Sequence, residues 1–177
     1  MHITPVFRSR AWPLAATLLA TTLLAACGHS PKKQAPPPPQ AHNYSPVAPA
    51  DPAAASSVLM RALGLVGTPY RYGGNTPESG FDCSGLVTYV YRDMLALNLP
   101  RTSNELAAIQ GPKIAPDRLA AGDLVFFGDK GHVWHVGIYV GEGRFVHAPS
   151  TGGTVRLDQL DGPYWRSHYT GAKRVLR

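Results

Sequence analysis

The chain has 177 residues, 44% of them hydrophobic and 16% charged, with 18 Gly, 17 Pro and two Cys. That length accommodates one domain with appendages, and two cysteines exclude a multi-bridge disulfide scaffold and a zinc-finger array. The formal charge of +6 is concentrated at the start: Arg8, Arg10, Lys32 and Lys33 precede residue 55, and beyond it 13 Lys and Arg face 10 Asp and Glu, which leaves no basic footprint for nucleic acid.

Residues 1–26 read as a lipoprotein signal peptide. Arg8 and Arg10 with no acid give a positive start, Ala11 to Ala26 is apolar or small, and the segment closes on Leu24-Ala25-Ala26-Cys27. An apolar run of about 16 residues is short for a membrane span, which needs about 20. A cysteine directly after Leu-Ala-Ala resembles the bacterial lipobox, which implies that Cys27 is acylated and becomes the mature N-terminus; ordinary signal-peptidase cleavage is the alternative. Each buried methylene of an acyl chain is worth ~0.8 kcal/mol, so several chains anchor durably. Gly28 in place of Asp after the cysteine implies, by the same resemblance, sorting to the outer membrane, facing the periplasm.

Residues 27–55 read as the acylated cysteine and a Pro/Ala-rich tether. Eight prolines lie between Pro31 and Pro52, including Pro36 to Pro39, and no aliphatic residue is larger than Val47. Such a stretch cannot bury enough apolar surface to order itself, and polyproline geometry extends it. A proline-rich ligand for a partner domain is the competing reading, against which no charged PxxP pattern is evident.

Residues 56–177 carry the patterning of an α+β domain. Ser57 is expected to cap a first helix presenting Val58, Leu59, Ala62, Leu63 and Val66, ending near Gly67 and Pro69. After the turn Gly73-Gly74-Asn75, a second helix is predicted from about Asp82, with Leu86, Val87, Val90, Met94 and Leu97 on one side and a stop before Pro100. A short third helix is predicted within 101–110. Strands are then expected at 123–127, 136–140, 144–147, 154–157 and 172–176, separated by Gly-containing turns. Helices first and an antiparallel sheet after them make an α+β architecture.

The chemistry points to Cys83, in Gly80-Phe81-Asp82-Cys83-Ser84-Gly85-Leu86-Val87. A lone cysteine is by default a core residue, but this one opens an amphipathic helix, where free amides and the helix dipole are expected to lower a thiol pKa that starts near about 8.5. The candidate bases are His135 and His147. If Gly141-Glu142-Gly143 is a three-residue hairpin loop, Val140 pairs with Arg144 and Gly137 with His147, and the two histidines point the same way as diagonal neighbours. One can then take the thiol proton while the other orients its ring. His132 and His168 are read as surface or capping residues. Zinc held by Cys83, His132, His135 and His147 is a competing arrangement, but the H-x2-H spacing is not usual for zinc and a helix-opening cysteine suits nucleophilic attack better, so no metal or cofactor is expected.

Six segments in order complete the picture: Gly67-Thr68-Pro69-Tyr70-Arg71-Tyr72-Gly73-Gly74, Phe81 to Val87, Leu99-Pro100-Arg101-Thr102-Ser103, Gly122 to Phe127, His135 to Gly141 and Phe145-Val146-His147-Ala148-Pro149-Ser150. This series resembles the NlpC family of bacterial cell-wall cysteine endopeptidases across nearly all of residues 56–177. The resemblance implies a papain-like α+β fold with Cys83 as nucleophile, His135 as general base and His147 as the polar third member. It further implies that the Tyr70 hydroxyl and the Cys83 backbone amide bind the oxyanion, and that Asp82 and Ser84 contact the free amine or backbone of the substrate. The substrate expected from this address and chemistry is a peptidoglycan stem peptide, cut at D-alanyl to meso-diaminopimelate crosslinks or, alternatively, between γ-D-glutamate and diaminopimelate or lysine. A non-catalytic wall-binding module would not need the thiol and two same-face histidines. The sequence specifies no adaptor protein.

Overall fold

The computed structural model describes residues 44–150 and 153–176. The expected signal peptide, the lipobox cysteine Cys27 and most of the tether lie outside the described residues. Among the described residues no helix is long and apolar enough to cross a membrane.

Folded structure begins earlier than the sequence pattern places it. The Tyr44 hydroxyl donates to Asp161 Oδ1 at 3.1 Å, its ring lies 6.2 Å from that of Tyr139, and Val47 bridges Ala120. Helix α1 spans Pro52–Gly64, so a tether boundary at 55 falls inside it. Its cap is Asp51, whose carboxylate accepts from the Ala54 amide, with Pro52 at the first helical position. Ser57, the expected cap, sits mid-helix and donates back to the Ala53 carbonyl at 3.0 Å. The buried stripe is correspondingly Ala55, Val58 and Ala62, while Leu63 and Val66 are exposed.

A two-stranded ribbon, β1 (Asn75–Thr76) and β2 (Gly80–Phe81), follows directly on the expected turn Gly73-Gly74-Asn75. Helix α2 (Cys83–Leu95) starts as expected and buries Leu86, Val87 and Val90 completely, leaving Met94 exposed. Helix α3 is short, Ser103–Ala107, closed at its start by a reciprocal capping box between Thr102 and Glu105.

The sheet is antiparallel and five-stranded, in the order β6-β5-β4-β3-β7. Its strands are β3 (Leu124–Asp129), β4 (His132–Gly141), β5 (Arg144–His147), β6 (Arg156–Gln159) and β7 (Tyr169–Lys173). β6 lies two residues later than predicted and β7 three earlier. Between them is an unpredicted six-residue helix, α4 (Pro163–His168). Strand alternation divides the apolar residues into two cores. Leu124, Phe126, Val136, Ile138 and Val146 pack with α1 and α2. Val125, Phe127, Tyr139 and Phe145 pack with Leu160, Trp165 and Ala172. The α+β architecture, helices packed on an antiparallel sheet, is the one the sequence predicts.

The β4–β5 hairpin corrects one detail that matters. Ile138 pairs with Val146 and Tyr139 with Phe145, the expected register, but Arg144 pairs with Gly141 rather than Val140. The loop is therefore two residues, Glu142-Gly143, and a bulge at Val140 restores the parity that a two-residue loop would otherwise reverse. Gly141, Glu142 and Gly143 all have positive φ, as such a tight turn requires.

Candidate active site

Cys83 is the first residue of α2, and Asp82 is its cap. Asp82 Oδ1 accepts from the Gly85 amide at 2.7 Å, and Oδ2 accepts from the Gly73 amide at 2.9 Å. A Cβ on Gly85 would stand 2.0 Å from the Gly74 carbonyl oxygen and 3.0 Å from Asp82 Oδ1, so the glycine is what lets the turn close over the helix start. Arg101 completes the arrangement: its two terminal nitrogens donate to Oδ1 and Oδ2 of Asp82 at 2.9 and 2.8 Å, and one donates to Ser84 Oγ at 2.8 Å. Both Asp82 oxygens and the Ser84 hydroxyl are thereby committed within the protein. Asp82 is held by Arg101 and by backbone amides, which together outweigh desolvation and keep its pKa below the usual value, so it is an ionised carboxylate on the wall of the cleft.

The thiol is half-buried and shares a 3.5 Å hydrogen bond with Ser103 Oγ. Burial is the largest influence and pushes its pKa up, with Asp82 adding to the rise; Ser103 and the backbone amides of Val136 and Ser84 pull it down. The net direction is upward, against the expectation of a thiol pre-ionised by the helix start. Desolvation of the thiolate outweighs the donors that surround it.

Tyr70, Asp82, Cys83 and Ser84 line one open cleft of about 660 Å³, with Tyr72, Arg101, Asn104, His132 and Trp134 around them. Burial, reinforced by Cys83 and Asp82, raises the Tyr70 phenol above its usual range, so it remains an O–H donor at neutral pH. His132 belongs to the rim, where its Nδ1 meets Asn104 Nδ2 at 3.3 Å.

His135 and His147 come together as the hairpin predicts. His135 Nε2 and His147 Nδ1 are 2.8 Å apart, and the residues are 3% and 0% exposed. A Cβ on Gly137 would lie 2.6 Å from Phe145 Cδ2 and 3.3 Å from His147 Cβ, so a side chain there would push the two strands apart at this pair. Burial drives both imidazole pKa values well below 6.5, the proximity of the two rings lowers His135 further, and Asp158 opposes both shifts. Both rings are neutral at pH 7. Among the described residues no hydrogen bond joins Cys83 to His135; from the strand that carries His135, the Val136 amide approaches the Cys83 sulfur. The four residues of the alternative zinc arrangement do not converge among the described residues, since His132 stays on the rim and both ring nitrogens of His147 are engaged.

Two residues missed in the sequence extend the pair. Asp158 Oδ2 lies 3.0 Å from His147 Nε2 and also accepts from Trp165 Nε1 at 2.8 Å and from an Arg156 terminal nitrogen at 2.9 Å. Trp165, from α4, stacks on His135 at 5.1 Å and 26° and meets His147 edge-on at 4.8 Å. The signal for Asp158 was a strand placed two residues too early, which left it outside; Pro163 to His168 is too short to show a helical period.

The sequence matches the NlpC/P60 family over residues 67–174. It is 44% identical over 126 residues to the murein DD-endopeptidase MepH of Escherichia coli (strain K12), covering 69% of this chain and 46% of that protein. It is also 44% identical over 128 residues to the gamma-DL-glutamyl hydrolase of Bacillus subtilis (strain 168), covering 71% of this chain and 30% of that protein. The chain thus spans less than half the length of these two relatives. A crystal structure of an NlpC/P60 family protein from Bacillus cereus ATCC 10987 superposes with a TM-score of 0.65 at 32% identity, covering 70% of this chain and 40% of that one. A match that takes in Tyr70, Cys83, His135 and His147 within one continuous span, on the same fold, leads to one conclusion: the chain belongs to the NlpC/P60 family.

Proposed function

We propose that the chain is a cysteine endopeptidase that hydrolyses an amide bond in peptidoglycan stem peptides, with Cys83 as nucleophile and His135 as base. The observation that carries the mechanism is the hydrogen-bonded chain His135–His147–Asp158. A carboxylate only accepts, so Asp158 requires the proton of His147 on Nε2. His147 Nδ1 is then an acceptor and requires the proton of His135 on Nε2. His135 Nδ1 is left with its lone pair, the atom that takes the thiol proton.

The sulfur attacks the amide carbonyl, and the Tyr70 hydroxyl with the Cys83 amide holds the oxygen as it gains charge. The C–N bond breaks, the leaving amine takes the proton from His135 Nδ1, and a thioester remains on Cys83. Water then attacks the thioester, giving its proton to His135, from which it returns to sulfur as the peptide carboxylate departs. The imidazolium formed at each proton transfer is charged in an apolar surrounding, and Asp158, through His147, is the anion that stabilises it. In the free enzyme the thiol and imidazole are both neutral, and the catalytic proton transfer awaits substrate, as catalytic hydrogen bonds often tighten on binding.

The bond we favour is the D-alanyl to meso-diaminopimelate crosslink, supported by the similarity to a murein DD-endopeptidase. The γ-D-glutamyl to diaminopimelate or lysine bond is the second reading, supported by equal identity to a gamma-DL-glutamyl hydrolase. We place the protein in the cell envelope, anchored through acylated Cys27 to the outer membrane and facing the periplasm; loss of fatty-acid labelling in Cys27→Ala tests the anchor. Mass spectrometry of muropeptides released from sacculi by wild type and by Cys83→Ala tests activity and bond together. Monomers released from crosslinked dimers, and absent with Cys83→Ala, support the favoured reading. Release that persists in Cys83→Ala refutes the mechanism.

A further inference from the structure

Beside the cleft lies a group of rings that the mechanism does not use. Trp134 is 36% exposed and Tyr164 55% exposed, and with His168 they form a triangle: Trp134 to Tyr164 6.3 Å, Trp134 to His168 5.5 Å, Tyr164 to His168 4.5 Å between centroids. None of the three belongs to either apolar core; Trp165, their buried neighbour, does the packing. The triangle is also held in place. His168 Nδ1 is 2.7 Å from the Tyr164 carbonyl oxygen and 3.1 Å from Ser167 Oγ, which fixes the ring across one turn of α4.

Trp134 belongs to both places. It lines the cleft that holds Cys83, and it precedes His135 on β4. Trp134 therefore joins the cleft at Cys83 to Tyr164 and His168, whose rings lie 6.3 and 5.5 Å from its own. Peptidoglycan consists of stem peptides and a glycan strand. Of these, the sugar has a chair-form ring whose face of axial C–H bonds carries slight positive charge, complementary to the negative face of an aromatic ring. Exposed aromatic surface contiguous with a cleft is the usual mark of a binding extension.

We propose that Trp134, Tyr164 and His168 form a carbohydrate-binding shelf that seats a pyranose ring of the glycan strand while the cleft holds the attached stem peptide. This rests on the peptidoglycan reading above and names a second part of the same substrate. His168, read from the sequence as a surface or capping residue, gains a role as the ring that braces Tyr164.

The test compares two substrates made from one crosslinked peptide dimer, with its disaccharides and after an amidase has removed them. Wild type is expected to prefer the sugar-bearing dimer. Tyr164→Ala should lower kcat/KM on that dimer about 3- to 10-fold, the range of one aromatic contact, through KM, and leave the sugar-free dimer unchanged. Trp134→Tyr, which keeps a ring, should retain most of the preference that Trp134→Ala loses. An equal fall on both dimers, or no fall on either, overturns the shelf. A binding measurement separates it from the proposed activity: glycan strands stripped of peptide should bind Cys83→Ala and bind the Cys83→Ala/Tyr164→Ala double variant more weakly. If those strands bind as predicted while wild type cuts neither dimer, the shelf stands and the endopeptidase reading fails. Strands that bind both proteins equally or neither, or phospholipid vesicles that depend on Tyr164 when strands do not, refute the shelf.

Discussion

Around Cys83 the polar groups are charged and partly open to solvent: the Arg101 side chain is 41% exposed and grips Asp82, and the cleft leads directly to the thiol. Around His135 and His147 the rings are neutral and enclosed by Phe127, Phe145 and Trp165, and the charge sits one residue away, in the partly exposed Asp158–Arg156 pair that His147 meets. The nucleophile side must admit a peptide, so its charge is placed where water can share the cost of desolvation. The base side must hold one tautomer, so it excludes water and lets each hydrogen bond fix the next. Variants that exchange the character of the two sides break this division most directly.

The largest effects fall on the reacting atoms. Cys83→Ala and His135→Ala should each lower kcat at least about a thousandfold, as removal of a nucleophile or its base does, measured by muropeptide release with circular dichroism confirming the fold. His147→Gln, which still accepts and donates, should retain measurable turnover, whereas His147→Ala loses more.

Next comes the carboxylate. An Asn at position 158 keeps its oxygen where Trp165 Nε1, Arg156 and His147 Nε2 all donate, so it preserves both tautomers and removes only the negative charge that stabilises the imidazolium. Asp158→Asn should therefore lower kcat about 10- to 100-fold, the range for the partner of a working histidine, at nearly constant KM. Asp158→Ala, which removes the acceptor as well as the charge, should lose more than Asp158→Asn.

The same burial predicts how stability responds to acid. The unfolded chain binds protons at its histidines near 6.5, while folded His135 and His147 resist protonation until well below that. Below 6.5 the unfolded state thus binds more protons, so stability falls as pH falls, by up to about 1.4 kcal/mol per pH unit for each histidine. Denaturant melts at pH 7 and 5 check this, and His147→Gln should flatten the dependence. On the nucleophile side, Arg101→Ala leaves a largely buried Asp82 carboxylate with only hydroxyl and backbone partners and should cost about 1–2 kcal/mol. Smallest of all, His132→Ala on the rim should stay within about 0.5 kcal/mol of wild type.

How much of this was legible follows the same division. The nucleophile side is local: Gly73-Gly74, Asp82-Cys83-Ser84-Gly85 and the stripe of α2 lie within one short stretch, so cap, helix and thiol could be read directly. The resting thiol could not, because its burial depends on β4 and on Ser103. On the base side the histidine pair was reached through a loop one residue too long, with the omitted bulge at Val140 compensating. Asp158 and Trp165 stayed hidden because β6 and α4 are too short for periodicity to fix their bounds, and only sheet pairing brings them to His147. Asp51 was overlooked as a cap since the proline-rich composition around it masks the start of α1.

The central claim is the relay of tautomers from Asp158 to His135, and nitrogen-15 NMR of the free enzyme with labelled histidines at pH 7 tests it most directly. The account predicts that His135 and His147 are both neutral with their protons on Nε2, and that Asp158→Asn, which keeps an acceptor oxygen facing His147, leaves both protons there. An imidazolium at His135 paired with a thiolate, or a proton on Nδ1 of either ring in the wild type, would contradict it.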